Sequence, residues 1–133
     1  MRLVLDASVA VAAARPSEPS HANSRARIVR ILGGDDGALV PSIFAVEVGA
    51  ALARVGEPTD AVRAYVGALL SVAEVTTIGP RGAREALDVA MSAKLRAADA
   101  LYVWLAARHS VVLCTLDKEM AERGSSFCSV IGP

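Results

Sequence analysis

Three short apolar runs in this chain are unbroken rather than alternating: Leu3-Val4-Leu5, Ala38-Leu39-Val40 and Val111-Val112-Leu113-Cys114. Continuous apolar runs of this length, bounded by turn residues or charges, are read as short buried strands. Between them lie segments of helical character. Ala7 to Ala14 stops near Arg15-Pro16, because a proline disfavours helix in the residue before it. His21 to Leu32 places Ala22, Ala26, Ile28, Val29 and Leu32 at near-helical spacing and ends at Gly33-Gly34.

Further along, Ser42 is the expected N-cap of a helix running to about Val55 and stopped by Gly56. Pro58 opens another, with an apolar stripe of Val62, Tyr65, Val66, Leu69 and Leu70. Core packing is the first reading of that stripe, and a homodimer contact the second. Glu74 to Ile78 alternates like a strand before Gly79-Pro80. Helices are expected at Ala83–Ala93, Ala97–Arg108 and Lys118–Arg123, and a last strand at Cys128–Ile131. Strands alternating with helices imply an α/β fold with a mainly parallel central sheet. No repeat, low-complexity tract or linker interrupts the pattern, so residues 1–133 are expected to form one domain.

Composition agrees. Hydrophobic residues make up 53% of the chain and charged residues 21%, a balance that argues against disorder. No apolar stretch approaches the roughly 20 residues of a membrane span. The first apolar run ends at Asp6, too soon for a secretory signal, so a cytoplasmic protein is expected. Cys114 and Cys128 have apolar neighbours and no metal-ligand spacing, and are read as buried free thiols. With 14 basic and 14 acidic residues, nothing suggests broad non-specific nucleic-acid binding. Local basic clusters remain, at Arg25, Arg27 and Arg30 and at Arg81, Arg84, Lys94 and Arg96. On helices such residues are commonly solvated faces.

The chemistry lies in the acids. Asp6 directly follows the first strand, and Asp117 follows the third through Thr115-Leu116. Glu47 stands on the helix after the second. In an open parallel sheet, ligand sites gather outside the carboxyl ends of the strands. Each acid also has a plain explanation. Asp6 and Asp117 can cap the helices that follow them, and Asp99 can sit at the positive end of its helix dipole. Glu47, however, lies among Ile43, Phe44, Ala45, Val46, Val48, Ala50, Ala51 and Leu52. Asp99 is set in a similarly apolar segment, Ala97 to Trp104. Isolated carboxylates in such settings need a partner, because losing hydration is costly. Each can pair with an arginine. Taken with the two strand-end aspartates, the two fit a shared cation better, since clustered like charges need neutralising. An oxygen-only set without Cys or His suits Mg2+ or Mn2+ rather than zinc.

Four segments carry a family resemblance. Leu3-Val4-Leu5-Asp6-Ala7-Ser8 resembles the opening motif of PIN domains, and Pro41 to Val48 the segment bearing their glutamate. Leu95 to Tyr102 resembles the third-acid motif, and Thr115 to Met120 the fourth. The match spans nearly the whole chain, in order, and none of the motifs departs from the pattern. The length and phrasing are most similar to the toxin component of VapBC toxin–antitoxin pairs. This resemblance implies a three-layer fold with a mainly parallel sheet flanked by helices. It implies a Mg2+- or Mn2+-dependent endoribonuclease that hydrolyses single-stranded RNA to a 5′-phosphate and a 3′-hydroxyl. Asp6, Glu47, Asp99 and Asp117 would be the catalytic, metal-binding acids, with Ser8 and Thr115 as supporting hydroxyls. Each hydroxyl can equally make a local bond to the backbone. The resemblance also implies a cognate antitoxin whose tail covers the acidic groove.

No histidine is required, and His21 and His109 are read as surface or helix-end residues. Tyr102 and Trp104 are read as core first and RNA-stacking second. Two other classes are open to a chain of this pattern. One is a PIN-like module that binds RNA or protein without cutting. The other is a signalling domain with Asp6 as phosphoacceptor, which lacks the paired acid and strand-end lysine such a domain needs.

Overall fold

The computed structural model describes residues 1–133. Five strands, β1 (Arg2–Leu5), β2 (Gly37–Pro41), β3 (Glu74–Thr76), β4 (Val112–Cys114) and β5 (Val130–Ile131), form one sheet in the order β3-β2-β1-β4-β5. Every pairing is parallel. The unbroken apolar runs are the three central strands. Leu3, Val4, Leu5, Ala38, Leu39, Val40, Leu113 and Cys114 are all buried, as expected for parallel strands covered on both faces. The edges are short: β3 has three residues and β5 two, which limits the backbone open to pairing with another chain.

Seven helices flank the sheet: α1 (Ala7–Ala14), α2 (His21–Leu32), α3 (Phe44–Arg54), α4 (Thr59–Val72), α5 (Pro80–Ala93), α6 (Ala97–His109) and α7 (Lys118–Gly124). Helix α6 lies against β1, β2 and β4 and is covered in turn by α5 and α7. Consecutive residues Tyr102, Val103, Trp104, Leu105 and Ala106 are buried, so α6 is apolar on nearly every side. Its neighbours approach closely. A Cβ on Gly82 of α5 would stand 2.9 Å from the Trp104 ring, and one on Gly124 would stand 2.9 Å from Val103. Helices α1 to α4 pack among themselves.

The α/β architecture with a parallel central sheet matches the expectation, and the differences are local. Ser42 is not the N-cap of α3: that place is Ile43, and no side chain caps the helix. Gly56 does stop it, at φ +86, a left-handed conformation that an L side chain would strain. Pro58 precedes α4 as its N-cap instead of occupying its first turn. On α2 the buried residues are Ser24, Ile28 and Ile31, while Ala22, Ala26, Val29 and Leu32 face outward. The α4 stripe is core packing: Leu69 is buried, the other four pack against the core, and the Tyr65 hydroxyl donates to the Ala10 carbonyl at 2.6 Å. Of the cysteines, Cys114 is buried and Cys128 half-buried, and both are free. No helix is long and apolar enough to cross a membrane.

Candidate metal centre

The order β3-β2-β1-β4-β5 reverses direction at β1: the chain first builds outward to β2 and β3, then returns to place β4 on the other side. At such a switch point the connections leaving the strand ends diverge and open a crevice. Asp6 and Asp117 stand there. The Asp6 amide donates to the Cys114 carbonyl at 3.0 Å, tying the ends of β1 and β4 together.

Asp6 is the N-cap residue of α1 by position, yet its side chain does not cap the helix. Its Oδ2 accepts from the hydroxyl of Ser8 and from that of Thr115, the latter at 2.7 Å. Those hydroxyls are themselves held. Ser8 Oγ accepts from the Leu116 amide at 3.1 Å, and Thr115 Oγ1 from the Asp117 amide at 3.0 Å. Thr115 thus makes the local backbone bond expected of a hydroxyl, whereas the backbone bond of Ser8 crosses to the β4–α7 connection; both hydroxyls also donate to Asp6. Asp6 is only 4% exposed, and burial pushes its carboxyl up from the usual range. The two hydroxyls pull it down less than burial raises it, and Asp117 adds repulsion.

Glu47, on the first turn of α3, is half-buried, and its Oε1 accepts from the Tyr102 hydroxyl at 2.6 Å. Burial raises its pKa. Tyr102 lowers it, and the charges of Asp6 and Asp99 raise it again. Asp99 occupies the first turn of α6, where its Oδ2 accepts from Arg96 Nε at 3.2 Å. Despite that cation its pKa is raised, because burial outweighs Arg96 and Asp117 and Asp6 add to it. Asp117 caps α7: its Oδ1 accepts from the Met120 amide at 2.9 Å, while Oδ2 lies 3.6 Å from Arg96 Nη2. The capping expected of Asp117 is thus real and coexists with a place in the cluster. The protein partner of Glu47 is a tyrosine, where the alternative to a shared cation was an arginine.

Four carboxylates from distant parts of the chain therefore share one surface and act on one another. Three of them have raised pKa values. Burial is the largest cause in each, and repulsion among the acids adds to it. The all-oxygen chemistry of the set fits a hard divalent cation. No three of the acids already close into a ligand shell. Arg96 contacts Oδ2 of Asp99 and of Asp117, and Tyr102 contacts Oε1 of Glu47. The largest concavity nearby, about 730 Å3, lies on the β5 side. Thr115 lines it and none of the four acids does.

Tyr102 and Arg96 enter the site in ways their local sequence only half signals. Tyr102 is fully buried, as a core residue should be, yet its hydroxyl serves Glu47. Arg96 belongs to a basic cluster in which Arg81 pairs with Glu85 instead, and its one signal is the three-residue spacing to Asp99. Trp104 is 5% exposed and donates through Nε1 to Glu85 at 2.8 Å, a core role. Of the first cluster, Arg27 and Arg30 bind Asp36. His21 begins α2, where Nδ1 meets the Ala12 carbonyl at 3.0 Å, and His109 ends α6.

Fold and site together define an α/β domain with an acidic centre at the sheet's switch point. The chain belongs to the PIN-domain family, whose model matches residues 3–125. No curated protein matches it by sequence. Among solved structures, the fold is similar to PAE2754 from Pyrobaculum aerophilum, at 24% identity and a TM-score of 0.72, covering 98% of this chain and 83% of that one. It is similar to VapC20 of Mycobacterium tuberculosis, described as a sarcin-ricin loop cleaving toxin, at 14% identity and a TM-score of 0.74, covering 92% and 95%. A toxin–antitoxin complex from Klebsiella pneumoniae also contains the fold, at 18% identity and a TM-score of 0.67, covering 97% and 95%.

Proposed function

We propose that this chain, acting as one domain, is a metal-dependent endoribonuclease and the toxin of a toxin–antitoxin pair. Asp6, Glu47, Asp99 and Asp117 would hold Mg2+ or Mn2+. The observation that carries this reading is the meeting of those four carboxylates at the β1–β4 switch point of a PIN-family fold. A bound divalent cation supplies Lewis acidity, lowering the pKa of water and offsetting the charge of the phosphodiester.

The chain's residues prepare for that. Ser8 and Thr115 pin Asp6 so that it cannot rotate out of the site. The Met120 amide fixes Asp117 through one oxygen and leaves the other facing the cluster. Tyr102 sets the rotamer of Glu47 from the core side. Without a cation the four acids would repel RNA, so metal and substrate binding are expected to be coupled. Single-stranded RNA is the substrate we favour, read through groove shape and a few loop side chains.

The similarity to toxins supports a cognate antitoxin that covers the acidic face. A homodimer is supported by an apolar concavity of about 530 Å3, lined by Ile43, Ile78, Leu87 and Leu101 among others. Of these, Leu87 is 54% exposed.

The test is RNA cleavage with Mn2+ against a chelator control, using Asp6→Asn and Asp99→Asn. Each substitution keeps shape and removes charge, so folded protein with cleavage lost is the expected result. Full activity in both variants would defeat the assignment. Metal-independent RNA binding without cleavage would favour a binding module instead.

A further inference from the structure

Arg96 is the one cation paired with any of the four acids. It immediately precedes α6, with extended backbone at φ −62 and ψ 155, so its side chain hangs over the first turn that carries Asp99. Its Nε lies 3.2 Å from Asp99 Oδ2 and its Nη2 3.6 Å from Asp117 Oδ2, one guanidinium spanning acids from α6 and from the β4–α7 connection. The side chain is 78% exposed, so these two carboxylates, and not packing, hold it in place. The neighbouring arginines are committed elsewhere, Arg123 to Glu119 and the Lys94 carbonyl, and Arg81 and Arg108 to Glu85.

We propose that Arg96 is an internal counter-ion that competes with the divalent cation for Asp99 and Asp117. This rests on the metal-site reading above and deepens it. In the metal-free protein the guanidinium occupies Oδ2 of both acids, and cation binding requires it to let go. The consequence is a raised threshold: the site fills at a higher cation concentration than the acids alone would need. The fork of an arginine can span two carboxylates, whereas a lysine ammonium is a point charge that cannot hold both in this geometry.

The test is calorimetric Mn2+ titration of the wild-type chain, Arg96→Gln and Arg96→Lys at low ionic strength. Two exposed ion pairs released together predict about three- to fivefold tighter Mn2+ binding in Arg96→Gln. Arg96→Lys should fall between that variant and wild type. In parallel, the Arg96 Nε–H resonance of the wild-type chain should shift on Mg2+ titration and saturate with the binding isotherm. Wild-type binding with an unchanged Kd in Arg96→Gln, or an Nε–H resonance that stays put at saturation, would overturn the counter-ion role while leaving the metal site standing. Absence of Mn2+ binding in wild type and Arg96→Gln alike would instead sink the metal-site reading, and this inference with it.

Discussion

The Tyr102 hydroxyl donates to Glu47 Oε1 at 2.6 Å, joining the fully buried core of α6 to the acidic surface across 55 positions of sequence. A buried phenol needs a partner, and a half-buried carboxylate needs a donor, so each removes the other's penalty. In Tyr102→Phe the carboxylate loses that donor. Its pKa, already raised by burial, should rise further, because this hydrogen bond is the main influence lowering it. The charged form that binds a cation then appears at higher pH. Mn2+ binding followed against pH should show its midpoint moved upward in Tyr102→Phe, with the fold retained.

Removing Thr115 Oγ1 takes a donor from Asp6 and an acceptor from the Asp117 amide together. A buried group left short of a partner costs about 1–3 kcal/mol. Thr115→Val should lose stability of that order in urea unfolding of the metal-free chain, and Thr115→Ser should restore most of it. A Thr115→Val chain as stable as wild type would contradict the bonding described here.

Asp6→Asn should separate stability from function. The Asp6 carboxyl is nearly sealed from water and its charged form is disfavoured, so a neutral amide of the same shape relieves the metal-free protein. A Tm at or above that of the wild-type metal-free chain is expected. The rise in Tm on adding Mn2+ to the wild-type chain should vanish in the same variant.

A second acidic centre, on the opposite end of the sheet from the candidate site, holds the chain start. Asp36 is 3% exposed and accepts from the Met1 ammonium at 2.7 Å, from Arg27 at 2.7 Å and from Arg30 at 2.9 and 3.1 Å. It lies just beneath the surface, since Met1 and Arg30 are about half exposed. Breaking a buried ion pair costs roughly 3–5 kcal/mol, and solvent around two of the partners reduces that. Asp36→Asn should therefore lose about 2–3 kcal/mol in denaturant unfolding.

The two centres give opposite pH dependences. Hydrogen bonds from Arg30 and the chain amine hold the Asp36 carboxyl well below the usual range. Its stabilisation is present above the unfolded carboxylate pKa and fades as pH falls below it. Asp6, Glu47 and Asp99 have raised values, so the folded metal-free chain takes up protons before the unfolded chain does. They destabilise it near neutrality, and that effect is relieved on acidification through their pKa values. Thermal unfolding without metal should show Tm rising as pH falls from neutrality through the raised pKa values of these three acids, and falling in stronger acid. With saturating Mn2+ the first trend should reverse, because protons then compete with the ion.

Much of this was legible locally. Burial on both faces makes a strand uniformly apolar, so β1, β2 and β4 stood out as Leu3–Leu5, Ala38–Val40 and Val111–Cys114, with acids at or beyond their ends. Helix α2 shows where local reading fails. Ala22-Ala26-Val29 and Ser24-Ile28-Ile31 follow the same helical spacing, and nothing local says which ladder faces inward. The structure buries the second, Ser24 included, while Arg27 and Arg30 reach Asp36. Ser42 has the chemistry of an N-cap, but α3 begins two residues later and leaves it exposed.

Residue periodicity and the placing of charges beside apolar runs are properties of the chain itself, and they determined the parallel α/β layout and the four acids worth watching. Strand order, the donors that reach each carboxylate and the guanidinium laid across Asp99 and Asp117 came only with folding. Those contacts join residues up to 109 positions apart, and the energy that selects them depends on desolvation and distance, which no local pattern encodes.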